Sequence, residues 1–183
     1  MDFEQVIKSR RSIRHFSDAE VPDELIHMLI DCAVRAPSSM NGQPWSFIVI
    51  RNHETKKRLA ELKDKYCPPE KRQFPADFLE KAPVVVITCV DRAKSYDRSL
   101  ENGVLATGHL LLAAANYGLT TIYMSAYKTG TPEVADEIRK ILHIPADVDP
   151  ITLVPMGYPA EKPGPKTIKS PEEVIFHEAF GRK

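Results

Sequence analysis

Val84-Val85-Val86-Ile87 is apolar at every position. A strand with no polar face belongs in a sheet that is covered on both sides. Pro83 to Val90 therefore predicts a buried strand. Trp45 to Ile50 has the same character, interrupted only by Ser46. It predicts a second strand buried on both faces, with Trp45 in the core. Leu119 to Met124 and Ile151 to Met156 predict two more. Helical spacing fills the intervals. Asp2 to Ser9 reads as a short helix. A second opens at Val21-Pro22-Asp23-Glu24, repeats Leu25, Met28, Leu29, Cys32 and Ala33 at helical intervals, and stops before Pro37. His53 to Tyr66, about Tyr96 to Tyr117, and Thr131 to Leu142 complete the set. By pattern alone, strands separated by helices suggest a parallel α/β sheet.

The Tyr96–Tyr117 helix carries Gly103, Gly108 and Ala113-Ala114-Ala115 among its leucines. Such small residues let another backbone come close, so this helix is expected at the centre of the packing. Gly118 is placed to cap its C-terminus. Cys67 to Phe74 reads as a loop. From Pro159 the chain is proline-rich and extended, and Pro171 to Phe180 is a candidate helix. No repeat, heptad array or linker divides the 183 residues. One domain over 1–183 is expected, with 159–183 as a C-terminal arm.

The balance of 25 cations against 25 acids argues against nucleic acid or an anionic membrane as the main partner. Met-Asp-Phe-Glu predicts no secretory signal. No apolar run is long enough to span a bilayer. An odd set of 3 cysteines without a CxxC pair fits reduced thiols and a cytoplasmic location. The eight glycines form neither GxGxxG nor a P-loop. The six histidines are dispersed, and no metal site is expected. There is no GxSxG nucleophile motif, and Ser38-Ser39 has no base beside it in sequence.

The local chemistry lies in two stretches. Lys8 to Arg14 holds four cations and no acid, in the run Arg10-Arg11-Ser12-Ile13-Arg14. Planar guanidinium forks suit phosphate, and Ser12 adds a hydroxyl donor. The second stretch is Ala36-Pro37-Ser38-Ser39-Met40-Asn41-Gly42-Gln43-Pro44-Trp45. In order and spacing the pair resembles the FMN-dependent nitroreductase family. That family opens with Arg-Arg-Ser-x-Arg, an aromatic soon after (here Phe16), and then Ala-Pro-Ser-x-x-Asn-x-Gln-Pro-Trp.

The resemblance implies an α+β fold rather than a parallel α/β one. It implies a mixed central sheet flanked by helices, built as an intertwined homodimer whose flavin sites are shared between subunits. It implies that Arg10 and Arg14 contact the phosphate or ribityl chain of FMN, with Arg11 and Ser12 lining the same segment. Pro37, Ser38, Ser39 and Asn41 would reach the flavin of the partner subunit. Met124 and Ser125 follow the third strand where family members place backbone N–H groups near flavin N5. Ser125 stands where glycine is commoner. In the tail, Lys169 is the better match to the family's last phosphate-binding cation, and Lys166 the second choice. Both are point charges where arginine is usual.

The implied activity is oxidoreduction. NAD(P)H would give hydride to flavin N5, and a nitroaromatic, quinone or similar small conjugated acceptor would take the electrons by a ping-pong mechanism. No side chain need act as acid or base, because the cofactor carries the chemistry. Two other readings use the same residues. One is a specialised oxidase or dehalogenase on the same fold, distinguished by the short lid between Lys65 and Pro83. The other is a non-catalytic module that stores or senses FMN.

Overall fold

The computed structural model describes residues 1–68 and 75–182. Residues 69–74, which make up most of the expected Cys67–Phe74 loop and part of the expected lid between Lys65 and Pro83, lie outside the described residues. At the centre are two long strands, β2 (Val84–Asp91) and β5 (Val148–Gly157), paired antiparallel. β1 (Trp45–Ile50) pairs antiparallel with the other side of β2. β3 (Thr120–Thr121) and β4 (Met124–Ser125) both pair antiparallel with β5. The order is β1-β2-β5-β3, with β4 beside β5. The parallel sheet suggested by pattern alone is thus overturned. Among the described residues, strand directions mix only where Ser12 bridges Thr121 in parallel. Periodicity reports which face is buried, not which way a strand runs.

The alternation of β2 sorts the core into two layers. Val84 and Val86 face α2 (Asp23–Ala33) and α5 (Ser99–Asn116), packing with Ile26, Leu29, Leu110 and Ala114. Val85, Ile87 and Cys89 face α3 (His53–Lys65), α4 (Phe78–Lys81) and α6 (Glu133–Leu142), packing with Leu59, Leu79 and Ile138. Both faces of β2 are therefore covered, as its unbroken apolar run requires. β1 departs from expectation. It is the sheet's edge; Ile50 is its buried residue and Val49 is exposed. Trp45 is half-buried, not core. An apolar strand at an edge lacks a neighbour on one side, so composition alone overstates its burial.

The expected strand Leu119–Met124 appears as β3 and β4. Both keep one register against β5, from Thr120↔Gly157 to Ser125↔Thr152. Between them the Ile122 N–H donates to the Pro155 carbonyl at 3.2 Å. Pro155 has no N–H to return, so the ladder breaks there. Pro150 sits where the β2–β5 register shifts, between Thr88 and Cys89, a position that tolerates proline.

α5 ends as predicted. Gly118 has φ +78°, Leu119 N–H donates to Ala114 O at 2.9 Å, and Gly118 N–H to Ala115 O at 3.1 Å. This is a Schellman cap. On its inner face the buried Thr107 hydroxyl lies 3.0 Å from the Thr88 hydroxyl, 2.8 Å from that of Thr152 and 2.8 Å from the Gly103 carbonyl. The close approach expected of the small residues is real at Gly103, where an added Cβ would stand 2.7 Å from Ile151 Cγ1. At Gly108 an added Cβ would meet nothing. Leu100, Val104 and Leu105 on the outward face are exposed.

α1 (Phe3–Ser9) precedes the basic run. In the tail, only α7 (Pro171–Val174) forms of the helix expected to reach Phe180. A single turn with none of its residues buried does not propagate. The arm from Pro159 is exposed along most of its length.

Gly103→Ala forces the new methyl into Ile151 Cβ and both its γ carbons. We expect a loss of about 1–3 kcal/mol, measured as a lower urea midpoint with unchanged slope.

Candidate functional site: the outer edge of β3 and β4

Antiparallel pairing alternates residues that bond the neighbour with residues that point away. Ile122 and Ala126 donate to Pro155 and Ile151 on β5, the latter at 2.9 Å. Thr121, Tyr123 and Ser125 are of the opposite parity, so their N–H and C=O groups point to the open side. That side is where the basic run docks. Ser12 bridges Thr121 there, so the run lies along the edge as an added extended segment. Period-two alternation then orders its side chains. Ile13 is buried, while Ser12 and Arg14 are exposed. The Arg14 guanidinium lies over the Phe78 ring, 5.8 Å from its centroid.

Arg11 turns to the same side as Ile13. Its Nη1 donates to the Lys8 and Arg10 carbonyls at 2.6 and 3.0 Å. Its Nε is buried without a partner, as is Thr120 Oγ1. Both residues line a cavity of about 200 Å³ with Arg10, Ala115 and Gly118. A cavity holding orphaned polar atoms beside an arginine is chemically suited to an anionic, hydrogen-bonding group.

Further along the edge, the outward Ser125 carbonyl accepts from Lys63 Nζ at 2.8 Å. Sequence reasoning missed Lys63, since nothing on charged α3 marks it. Burial holds its ammonium below the ordinary lysine value; the Cys67 sulfur opposes that shift and the Lys128 ammonium adds to it. The partly buried Met124 and Ser125 sit beside this cation.

The Pro37–Trp45 loop is elsewhere. Met40, Asn41 and Gln43 have φ of 50°, 54° and 46°. Asparagine tolerates this left-handed region; the other two cost about 1–2 kcal/mol each. Gly42 meets the Lys94 carbonyl so closely that no Cβ fits. The strain is held by Asn102, also missed in the sequence. It is buried, its Oδ1 accepts from Ser39 N–H at 3.0 Å, and its Nδ2 donates to Ser95 O at 3.1 Å. The signal was there, an asparagine on the inner face of an apolar helix. The Ser38 hydroxyl accepts from Gln43 N–H at 3.0 Å, and Pro37 and Asn41 are exposed.

Within one chain the two stretches do not meet. The loop feeds β1 at one edge of the sheet, and the basic run docks on β3 at the other. Asn102 anchors the loop near the start of α5, while Ala115 lines the Arg10 cavity near its end. At about 1.5 Å per residue these points are about 20 Å apart. Lys166 and Lys169 are exposed on the arm, and among the described residues neither forms a hydrogen bond or ion pair. The arm begins beside the basic run, with Phe16 bridging Pro159 and Ala160 N–H donating to His15 O at 3.1 Å.

A family model described as "Nitroreductase family" matches residues 7–158. The chain belongs to the nitroreductase family. It is 35% identical over 176 residues to a putative NADH dehydrogenase/NAD(P)H nitroreductase of Methanothermobacter thermautotrophicus, covering 95% of this chain and 86% of that one. A solved structure of a putative NADH dehydrogenase/NAD(P)H nitroreductase from Parabacteroides distasonis matches with TM-score 0.86 and 29% identity, covering 98% of this chain and 99% of that one. An oxidised iodotyrosine deiodinase solved with FMN and 3-iodo-L-tyrosine matches with TM-score 0.79 and 26% identity, covering 97% and 98% of the two chains. The α+β fold expected from the two motifs is that of these nitroreductases.

Asn102→Ala leaves Ser39 N–H unpaired and removes one of two donors from the Ser95 carbonyl, which still accepts from Arg98 N–H at 3.0 Å. We expect a loss of about 2–3 kcal/mol, read from chemical denaturation, with a native far-ultraviolet spectrum retained.

Proposed function

We propose that this nitroreductase-family chain is an FMN-dependent oxidoreductase acting on small conjugated acceptors. The observation that carries it is the outer edge of β3 and β4, where Arg10, Ser12, Arg14 and the open N–H side of Ser125 line up along one strand. Arg10 and Ser12, with the orphaned Arg11 Nε and Thr120 Oγ1 beside them, suit a phosphate and its polyol chain. Arg14, fixed over Phe78, suits the electron-rich end of the ring system. Bound FMN would supply two-electron chemistry at N5, with NAD(P)H as the hydride donor and a nitroaromatic, quinone or related compound as the acceptor.

The chain's own residues bind and orient. Lys63 donates to the Ser125 carbonyl at 2.8 Å and Ala126 N–H donates to Ile151 O at 2.9 Å, so the Ser125–Ala126 peptide is held from both sides. No side chain is required as acid or base. Donor and acceptor use one face in turn, which gives ping-pong kinetics.

The site is shared between two copies. A loop and a basic run at opposite sheet edges can serve one flavin only if the loop comes from a partner. The exposed outward face of α5, with Leu100, Val104 and Leu105, and the exposed arm with Ile168 and Phe180, suit such an intertwined homodimer. In this reading 1–183 is one FMN-binding unit with 159–183 as its wrapping arm. Pro37, Ser38, Ser39 and Asn41 then act in trans, and Lys169, or Lys166 as second choice, adds a cation to the phosphate.

A specialised reaction on the same fold is the second reading, favoured by the likeness to the iodotyrosine deiodinase. Purified protein should show a flavin spectrum that bleaches on anaerobic addition of NADH or NADPH. A flavin that stays oxidised with both donors overturns the NAD(P)H reading, and intersecting lines in a two-substrate plot overturn the shared face. Arg14→Ala should weaken FMN binding by roughly 1.5–3 kcal/mol, measured by fluorescence titration; unchanged affinity removes Arg14 from the site.

A further inference from the structure

A second cavity, of about 230 Å³, opens beside β4. Its walls include Tyr66, Phe78, Met124, Tyr127 and Val134. Three of these are aromatic, and Phe78 is the ring that carries Arg14. Among the described residues its charged lining is Lys63, Lys128 and Asp64. Asp64 Oδ1 accepts from Ala76 N–H at 2.8 Å. Lys63 gives one proton to Ser125 O at 2.8 Å, and Lys128 gives one to Tyr66 O at 3.1 Å. An ammonium has three donors, so each lysine keeps two for another acceptor. The two cations also repel one another, and Lys63 is desolvated. An anion between them relieves both penalties.

We propose that this cavity is the acceptor subsite, and that it selects a single-ring aromatic carrying a negative charge. The inference rests on the flavoenzyme reading above and names the acceptor class that reading leaves open. Size supports it, since about 150 Å³ of apolar cavity is enough for benzene. The remaining space matches a carboxylate or similar anionic substituent. Position supports it as well. Met124 and Lys63 belong both to the cavity and to the flavin-facing edge, so a ring stacked among Tyr66, Phe78 and Tyr127 lies next to the redox centre. The apolar walls supply the ring's binding, and the lysines supply discrimination by charge.

The test is calorimetric titration of the FMN-loaded protein with benzoate and with benzamide, which share a ring and a shape but differ in charge. Benzoate should bind at least about tenfold more tightly, as expected for a charge-assisted contact. It should also compete with 4-nitrobenzoate during NAD(P)H-driven turnover. Lys128→Glu, at an exposed position, should abolish or reverse the preference and leave the flavin spectrum intact. Lys63→Gln should reduce the preference and also perturb the flavin spectrum, because it frees the Ser125 carbonyl. Equal affinities for the two probes, a preference that survives Lys128→Glu, or benzoate inhibition that is not competitive with the acceptor each overturn the inference. Protein that takes up no FMN overturns the flavoenzyme reading, and the acceptor subsite with it; the absorption spectrum of the same sample separates that outcome from the others.

Discussion

Everything in this molecule is arranged around the antiparallel pair of β2 and β5. β2 is apolar on both faces, so it cannot sit at a surface. Its odd and even residues demand separate helical layers, and α2 with α5 on one side and α3, α4 and α6 on the other supply them. The Thr88–Thr107–Thr152 hydroxyl group ties α5 to both strands at one buried point. In a dry interior such a group is stable only when each hydroxyl is paired, so it also fixes where α5 lies along the sheet.

The register of β3 and β4 against β5 converts this core into a site. Parity sends the backbone groups of Thr121, Tyr123 and Ser125 outward. Their open edge receives the basic run on one stretch and the Lys63 ammonium on another. The candidate site is therefore a sheet edge answered by an added extended segment at Thr121 and by the Lys63 ammonium at Ser125. Pro155 contributes by breaking the ladder at Ile122, which separates the stretch that receives the basic run from the stretch beside Lys63.

Much of this was legible in the residues. Burial of Val84–Ile87, the glycine cap at Gly118 and the α+β fold all followed from pattern or motif. Strand direction did not, because alternation is the same for parallel and antiparallel strands. Trp45 was misjudged because its apolar neighbours look identical in an edge strand and a central one. Asn102 and Lys63 escaped notice because their partners, Ser39 and Ser125, are 63 and 62 residues away. The tail helix stopped at Val174 because local propensity needs packing to extend it.

By itself the sequence determined the chemistry on offer: a guanidinium-rich run with a serine, a small-residue loop, and strands too apolar to be exposed. These are properties of residue types and short spacings. Only the tertiary structure decided where that chemistry goes. It put the basic run and the loop at opposite edges of one sheet, about 20 Å apart along α5, and brought Lys63 and Lys128 to one cavity beside β4. Those placements depend on strand order and register. Both are set by long-range pairing and the packing of two helical layers, which no local run of residues encodes.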